Sequence, residues 1–504
     1  METTHLTQGT KRRYSGEQNK RAFSHGDNNA ALDGGSIFLE ESVPRSEPTQ
    51  RIERGNRSDD YFRGLYSTEP NFYRLGLKYP EFGAMLRDGV YLDFTDLAAV
   101  MQLTKTLLEE DFGLRINLRP DRLCPPVPNR HNYILWLKDL LDSTSSSYSQ
   151  QYESERRVTG LDIGTGASLI YPLLGCVQRP TWHFIATDID ANSLTSARAN
   201  ARINHLESRI RILDRTASDP LIPDLDMETI DFVMVNPPFY ASDTELLELA
   251  AQKSRPPHSA CTGAPVEMVC QGGEVRFVER MINESLVLRN RVQWYTAMLG
   301  KQSSVEVLVE ALKKHKINNF AVTTFIQGSK TRRWALGWSF LTRRPSLGVA
   351  RGCGSFVAKR MLPPVTAITM YESSAQVHMD PVPSLQRILC DAMDSLSLRS
   401  WVWDEQRLRG VGFADGNVWS RAYRRRRAGE DVATNQQESA ISPLDVAACA
   451  FGFSISIQSE NLDNSGSGSP AVILCWLQGD DESLFESFSG VIRRCLRADA
   501  VRSV

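Results

Sequence analysis

Residues 160–166 (GLDIGTG) and 236–239 (NPPF) are the two stretches of this sequence whose residue types and spacing can do chemistry. The first reads as the end of a buried strand running into a glycine turn. Asp162, Gly164 and Gly166 sit where a backbone without Cβ atoms lets a nucleotide-like ligand approach the carboxyl end of a strand. The spacing is not GxGxxG, and nothing resembles a P-loop. A tight strand-to-helix turn that holds no ligand is the plain alternative. Asp188 closes the next apolar run (IATD), where an acid can accept hydrogen bonds from both hydroxyls of a ribose. It can also be a helix N-cap, a task that Asp190 or Asn192 would serve equally well.

Asn236, Pro237, Pro238 and Phe239 suit a different partner, a planar amine. The amine on a nucleobase is a poor nucleophile because its lone pair is delocalised into the ring. The Asn236 side-chain oxygen and the Pro237 carbonyl can accept its two hydrogens and localise the lone pair towards an electrophile. The prolines hold the turn, and Phe239 or Tyr240 can stack on the ring. No general base is needed before such a transfer, because the proton can leave afterwards. The bland reading is a strand stopped by prolines and followed by a core phenylalanine. Together the two stretches suggest S-adenosylmethionine at one strand end and a base amine at another. Arg130 can hold a carboxylate such as the donor's methionine end, or be a solvated arginine at a helix start. Lys253, Arg255 and His258, with Lys330, Arg332 and Arg333, can contact phosphates or simply be solvated surface. No HExxH, Ser-His-Asp or paired-carboxylate pattern supports a hydrolase.

These residues need a scaffold, and the pattern supplies one. From residue 158 strand-like and helix-like runs alternate, which predicts a parallel sheet with crossover helices. Strands are expected at 158–163, 183–187, 210–213, 230–235 and 291–299. Helices are expected from 169, at 192–204, 275–288 and 305–314, and an antiparallel pair at 319–326 and 334–341 closes the sheet. The stretch 241–273 is long and irregular, as functional loops often are. Before the sheet, apolar spacing predicts helices over 96–110, capped by Asp93 or Thr95 and stopped by Gly113, and over 130–141. A strand is expected at 114–118 and a serine-rich linker at 143–155. Residues 343–363 read as a linker to a smaller α+β unit over 364–504 of order β-α-β-β-β-β-α. Its hairpin is expected as strands 411–413 and 418–423 about a turn at 414–417 that holds Asp415-Gly416, followed by a four-arginine run, Arg424, Arg425, Arg426 and Arg427.

At 504 residues the chain exceeds one ordinary domain, and 41% hydrophobic residues suffice for two cores. A net charge of −2 gives no global basic footprint, so a nucleic-acid partner needs local cations. The nine cysteines contain no CxxC pair, which argues against a disulfide frame and against zinc. No apolar run is long enough for a bilayer, so no membrane partner is expected. Residues 1–60 read as a disordered tail, in which Lys11, Arg12, Arg13 and Lys20, Arg21 are a nuclear import signal or ordinary tail charge.

From about residue 61 to 340 the chain resembles the methyltransferase-like sixteen family, the U6 small nuclear RNA adenine N6-methyltransferases. The resemblance is carried, in order, by LTKTLLEEDFGL (103–114), VPNRHNYILW (127–136), LDIGTGASLIYPLLG (161–175), NPPF (236–239), GGEVRFV (272–278), WYTAMLGK (294–301) and RWALGWSF (333–340). It implies a Rossmann-like class I methyltransferase core with an N-terminal RNA-binding extension. It implies methyl transfer from S-adenosylmethionine to an adenosine N6 in structured RNA, chiefly U6 small nuclear RNA, in the nucleus and in support of splicing. It places Arg130, Gly164, Asp188, Thr216 and Asn236 at donor-binding positions and NPPF at the catalytic motif. Asp188 stands where relatives often have Glu, and either acid binds ribose. Relatives carry an accessory domain with a kinase-associated-1-like fold that adds RNA affinity. The C-terminal order looks like that fold, with Arg424–Arg427 suited to an RNA backbone, or equally like a protein-interaction domain with a solvated arginine run. Competing readings are a ribosomal RNA adenine methyltransferase, a protein glutamine methyltransferase and a non-catalytic RNA scaffold. A monomer without a DNA partner is expected.

Overall fold

The computed structural model describes residues 57–224, 229–242, 244, 263–327, 331–354, 357–372, 382–430, 446–459 and 470–502. The tail, with its basic clusters, and most of 241–273 lie outside the described residues.

The hairpin Leu86–Arg87 (β1) and Tyr91–Leu92 (β2) precedes the main sheet, whose strands are Val158–Ile163 (β3), Trp182–Asp188 (β4), Ile210–Asp214 (β5), Ile230–Val235 (β6), Val292–Leu299 (β7), Phe320–Gln327 (β8) and Thr331–Trp338 (β9). Their order is β5-β4-β3-β6-β7-β9-β8, with β9 antiparallel to both neighbours and the rest parallel. Parallel strands covered on both faces read as continuous apolar runs, and β7 (VQWYTAML) is buried at all eight positions. The strand order reverses between β3 and β6, so the crevice at their carboxyl ends is the place for a ligand. The Rossmann-like α/β core expected from the sequence is present.

Close packing fixes residue type inside this sheet. Gly160 on β3 lies opposite Phe232 on β6, and a Cβ there would meet the ring at 2.3 Å. Gly160→Ala is therefore expected to destabilise the protein by about 1–3 kcal/mol, read as a lower urea midpoint.

Several expectations are corrected. Residues 114–118 join no strand among the described residues; the Asn200 and Asn204 side chains accept from Asn117 N and Arg115 N at 2.8 and 2.9 Å. The helix Leu97–Phe112 is capped by Asp96, whose carboxylate accepts from Ala98 N, and not by Asp93 or Thr95; Gly113 does end it in the left-handed region. The next helix is Val127–Ser143, with Pro128 in its first turn, where a missing N–H costs nothing. The segments read as linkers are packed. Tyr148 is buried 4.8 Å from Phe413, and Arg344 is buried with its guanidinium 4.2 Å over Trp476 and its Nε donating to Gly479 O.

The C-terminal portion forms Ala367–Glu372 (β10), Ser400–Asp404 (β11), Arg409–Ala414 (β12), Phe451–Ser459 (β13) and Pro470–Gln478 (β14), an antiparallel sheet of order β10-β14-β13-β12-β11. Helices Val382–Asp394 and Glu482–Arg502 pack on it. Its hairpin is not at Asp415-Gly416. Asp404 accepts from Gln406 N and Arg407 N and turns β11 into β12. After β12, Val418 and Trp419 are buried, and Ser420 accepts from Tyr423 N to start a helix, Arg421–Glu430, where a strand was expected.

Candidate active site

The glycine turn after β3 is built as its composition requires. Gly164 and Gly166 have φ of 69° and 66°, which favours glycine. Gly164 N and Thr165 N both donate to Thr187 O at 2.9 Å, tying the turn to the end of β4. Asp188 closes β4, and its carboxylate accepts from Gly166 N at 2.8 Å and from Asp190 N at 3.0 Å. Asp190, not Asp188, caps the helix Ala191–Ile203 by accepting from Ser193 N. Asp188 is thus left facing the turn.

Asp162 lies beneath this turn, buried. One carboxylate oxygen accepts from Thr165 Oγ1 at 2.7 Å, and the other has no hydrogen-bond partner. Burial pushes its pKa up from 3.8 to about 7, with the Asp188 charge adding to the rise. The folded carboxyl holds its proton more tightly than the unfolded one. Its contribution to stability is therefore full below about pH 4, falls as pH rises towards 7 and is level beyond. Asp162→Asn should remove that slope. Its stability relative to wild type is expected to rise by an amount on the order of 4 kcal/mol between pH 4 and 8, measured by urea unfolding at each pH.

A cleft of about 970 Å³ opens here, and Arg130, Gly164, Gly166, Asp188, Thr216 and Asn236 all line it. Arg130 is buried in the first turn of its helix. Its Nη1 donates to Met298 Sδ at 3.4 Å and its guanidinium lies 5.4 Å from the Tyr171 ring centre. Among the described residues no carboxylate forms an ion pair with it. A buried cation lining a cleft without a counter-ion fits an anionic ligand group. Asn236 follows β6, and its Oδ1 is buried without a partner. Pro237 is buried, Pro238 lines the cleft, and half-buried Phe239 has the Arg333 guanidinium 5.4 Å over its ring. Burial lowers the Arg333 pKa, and the Arg130 charge adds to this.

Donor residues and amine residues are thus neighbours, as sequence spacing alone could not require. These features fit S-adenosylmethionine. Arg130 could hold its carboxylate, the open space at Gly164 leaves room for its polar end, and Asp188 could accept from its ribose, whereas Asp162 is buried beneath the turn and is not among the residues lining the cleft.

Two acids escaped the sequence reading. Glu267 accepts from Leu123 N at 3.0 Å and Ala264 N at 2.8 Å, fastening the short helix Pro265–Met268 to Leu123 in the wall of the cleft. Its signal was a glutamate three residues into a short helix, the capping-box spacing. Glu274 is buried and accepts from Gly300 N at 2.7 Å and Lys301 N at 3.1 Å. A Cβ on Gly300 would meet the Phe239 ring at 2.9 Å, so Glu274 sets the wall behind that ring. The remaining phosphate candidates are dispersed. Lys253, Arg255 and Lys330 lie outside the described residues. Arg332 is exposed on β9, and Arg424, Arg425 and Arg426 are exposed on the helix Arg421–Glu430, which also carries Arg427.

The chain is 34% identical over 409 residues to the Schizosaccharomyces pombe U6 small nuclear RNA (adenine-(43)-N(6))-methyltransferase, covering 81% of this chain and 95% of that one. It is 43% identical over 279 residues to the Danio rerio RNA N(6)-adenosine-methyltransferase mettl16, covering 54% of this chain and 57% of that one. The human Mettl16 catalytic domain in complex with the MAT2A 3'UTR hairpin 1 is a similar solved structure, at 40% identity and a TM-score of 0.49, covering 54% of this chain and 92% of that one. Residues 57–342, more than half of the chain, match a family model described as RNA methyltransferase. That span contains the glycine turn, Asp188, Asn236 and Arg333, and the chain belongs to this RNA methyltransferase family.

Proposed function

We propose that the chain transfers a methyl group from S-adenosylmethionine to the N6 amine of an adenosine in U6 small nuclear RNA, acting in the nucleus in support of splicing. The observation that carries the reading is the buried, unpartnered Asn236 Oδ1 beside the cleft of the glycine turn. S-adenosylmethionine supplies an electrophilic methyl on a sulfonium, so the new N–C bond forms as the S–C bond breaks.

Each residue has a stated part. Arg130 pairs with the donor carboxylate, the Gly164–Gly166 turn, with Asp162 beneath it, holds its polar end, Asp188 accepts from its ribose, and Thr216 lines the far wall. Asn236 Oδ1 and the Pro237 carbonyl accept the two amine hydrogens, Pro238 shapes the turn, and Phe239 stacks on the base. The proton lost from N6 leaves to water after transfer. Arg332 and Arg333, with Lys253, Arg255 and Lys330, take RNA phosphates.

Residues 61–342 are the catalytic unit in this reading, and 364–504 an accessory RNA-binding unit with a kinase-associated-1-like fold. The five-stranded antiparallel sheet with two packed helices, and the exposed Arg424, Arg425 and Arg426, support that assignment, which extends to Arg427. The protein acts as a monomer on RNA rather than DNA.

The test is a competition among a U6 fragment, a ribosomal RNA fragment, an unrelated hairpin and the DNA version of the U6 fragment. Transfer to U6 at least tenfold faster than to the rest is the expected outcome. Preference for ribosomal RNA would move the function to ribosome maturation.

A further inference from the structure

A second cleft, of about 510 Å³, opens where the main sheet meets the C-terminal portion. Lys313, Lys316, Arg351 and Lys359 line it, and Glu482 is the one acid among its lining residues. Among the described residues, Lys316, Arg351 and Lys359 make no ion pair. Arg351 Nε is buried with no hydrogen-bond partner. Lys313 is engaged, donating to Arg360 O and lying 3.9 Å from Glu310. Glu482 also feels the buried Arg344, which offsets its charge. Cations outnumber acids in a concave space, which focuses positive potential.

The backbone adds a second observation. Lys316 follows the helix Gln302–Lys314 with φ of 58°, where glycine or asparagine is favoured. Ile317 N donates to Leu312 O at 3.0 Å and closes the helix end. The left-handed turn that ends the helix leaves Lys316 exposed among the residues lining the cleft.

The position limits the ligand. β7 ends at Leu299 beside Gly300 and Phe239, and the helix Gln302–Lys314 returns towards the start of β8. The cleft therefore lies at the opposite end of the sheet from Asn236, one strand length or about 25 Å away. It cannot receive the target nucleotide. A polyanion long enough to span the sheet from end to end can reach both.

We propose that this cleft is a distal RNA-backbone site, in which Lys316, Arg351 and Lys359 take phosphates of the stem of the RNA whose loop is at the catalytic end. The proposal rests on the RNA methyltransferase reading and adds a second point of attachment. Such contacts fix register and orientation and carry no base information.

The test uses the full chain and a Lys316→Gln/Lys359→Gln double variant, both side chains being exposed. Two RNA hairpins share one loop and differ in stem length. Binding is followed by fluorescence anisotropy across a salt series. On the long stem the variant should bind roughly tenfold more weakly at low salt. The slope of log K against log salt should shrink by about 1.4–1.8, since each of the two lost phosphate contacts removes roughly 0.7–0.9. On the short stem neither quantity should move, and its methylation rate should match wild type. An unchanged slope on the long stem overturns the proposal. An equal change on both stems also overturns it, because that marks a diffuse field rather than a distal site. Wild type that binds neither hairpin sinks the RNA reading itself, an outcome distinct from either.

Discussion

Asn236→Ala is expected to slow methyl transfer about 10²- to 10³-fold while changing donor affinity by less than about tenfold. The Asn236 oxygen is buried and has no hydrogen-bond partner among the described residues, so it is available to accept from an amine. An acceptor held ready in this way acts mainly on the reacting nitrogen, where charge develops, and little on the bound donor. The same reasoning gives a second, opposite effect. Removing an unsatisfied buried group should leave the fold as stable as wild type, or more stable by about 1 kcal/mol. Single-turnover rates, donor titration by calorimetry and urea unfolding separate the three quantities. A variant that loses activity because it unfolds would contradict this assignment.

Asp188→Ala is expected to weaken donor binding by about 10²-fold, with RNA binding in the absence of donor unchanged. The carboxylate does two things at once. It accepts from Gly166 N and Asp190 N, which holds the glycine turn against the end of β4. It is also the acid that we propose accepts from the ribose hydroxyls. Hydrogen bonds to a charged group contribute about 1.5–3 kcal/mol each, so losing this one group can account for the whole effect. Asp188→Asn keeps one acceptor for the turn and should fall between wild type and alanine. Calorimetric titration with S-adenosylhomocysteine measures all three. Equal affinities for wild type and alanine would remove Asp188 from the donor site.

The parts of the site that were legible in the sequence are those where local chemistry and local structure coincide. Residues 158–163 and 230–235 are apolar runs ended by glycines or prolines, and both strands and both turns stand where they were expected. Asp188 was ambiguous because an acid after a strand is also a capping residue; Asp190 takes the cap, which only coordinates decide. Glu274 was invisible because its partners are backbone N–H groups far away in the chain, at Gly300 and Lys301, and the local capping spacing of Glu267 gave no hint of its second bond, to Leu123 N. The error at 411–423 has the same cause. Asp415-Gly416 is a good local turn signal, but burial of Val418 and Trp419 and the Ser420 cap settle the segment differently. The packed state of Tyr148 and Arg344 shows how a serine-rich or arginine-containing stretch passes for a linker when its anchor is a single residue.

The most direct test of the central claim is to incubate labelled S-adenosylmethionine with a U6 RNA fragment, digest the RNA to nucleosides and ask which one carries the label. Wild type and Asn236→Ala are run side by side. The predicted result is label in N6-methyladenosine alone, reduced at least a hundredfold in the variant, which still binds S-adenosylhomocysteine. Label in another nucleoside, or equal labelling by the two proteins, would contradict the account.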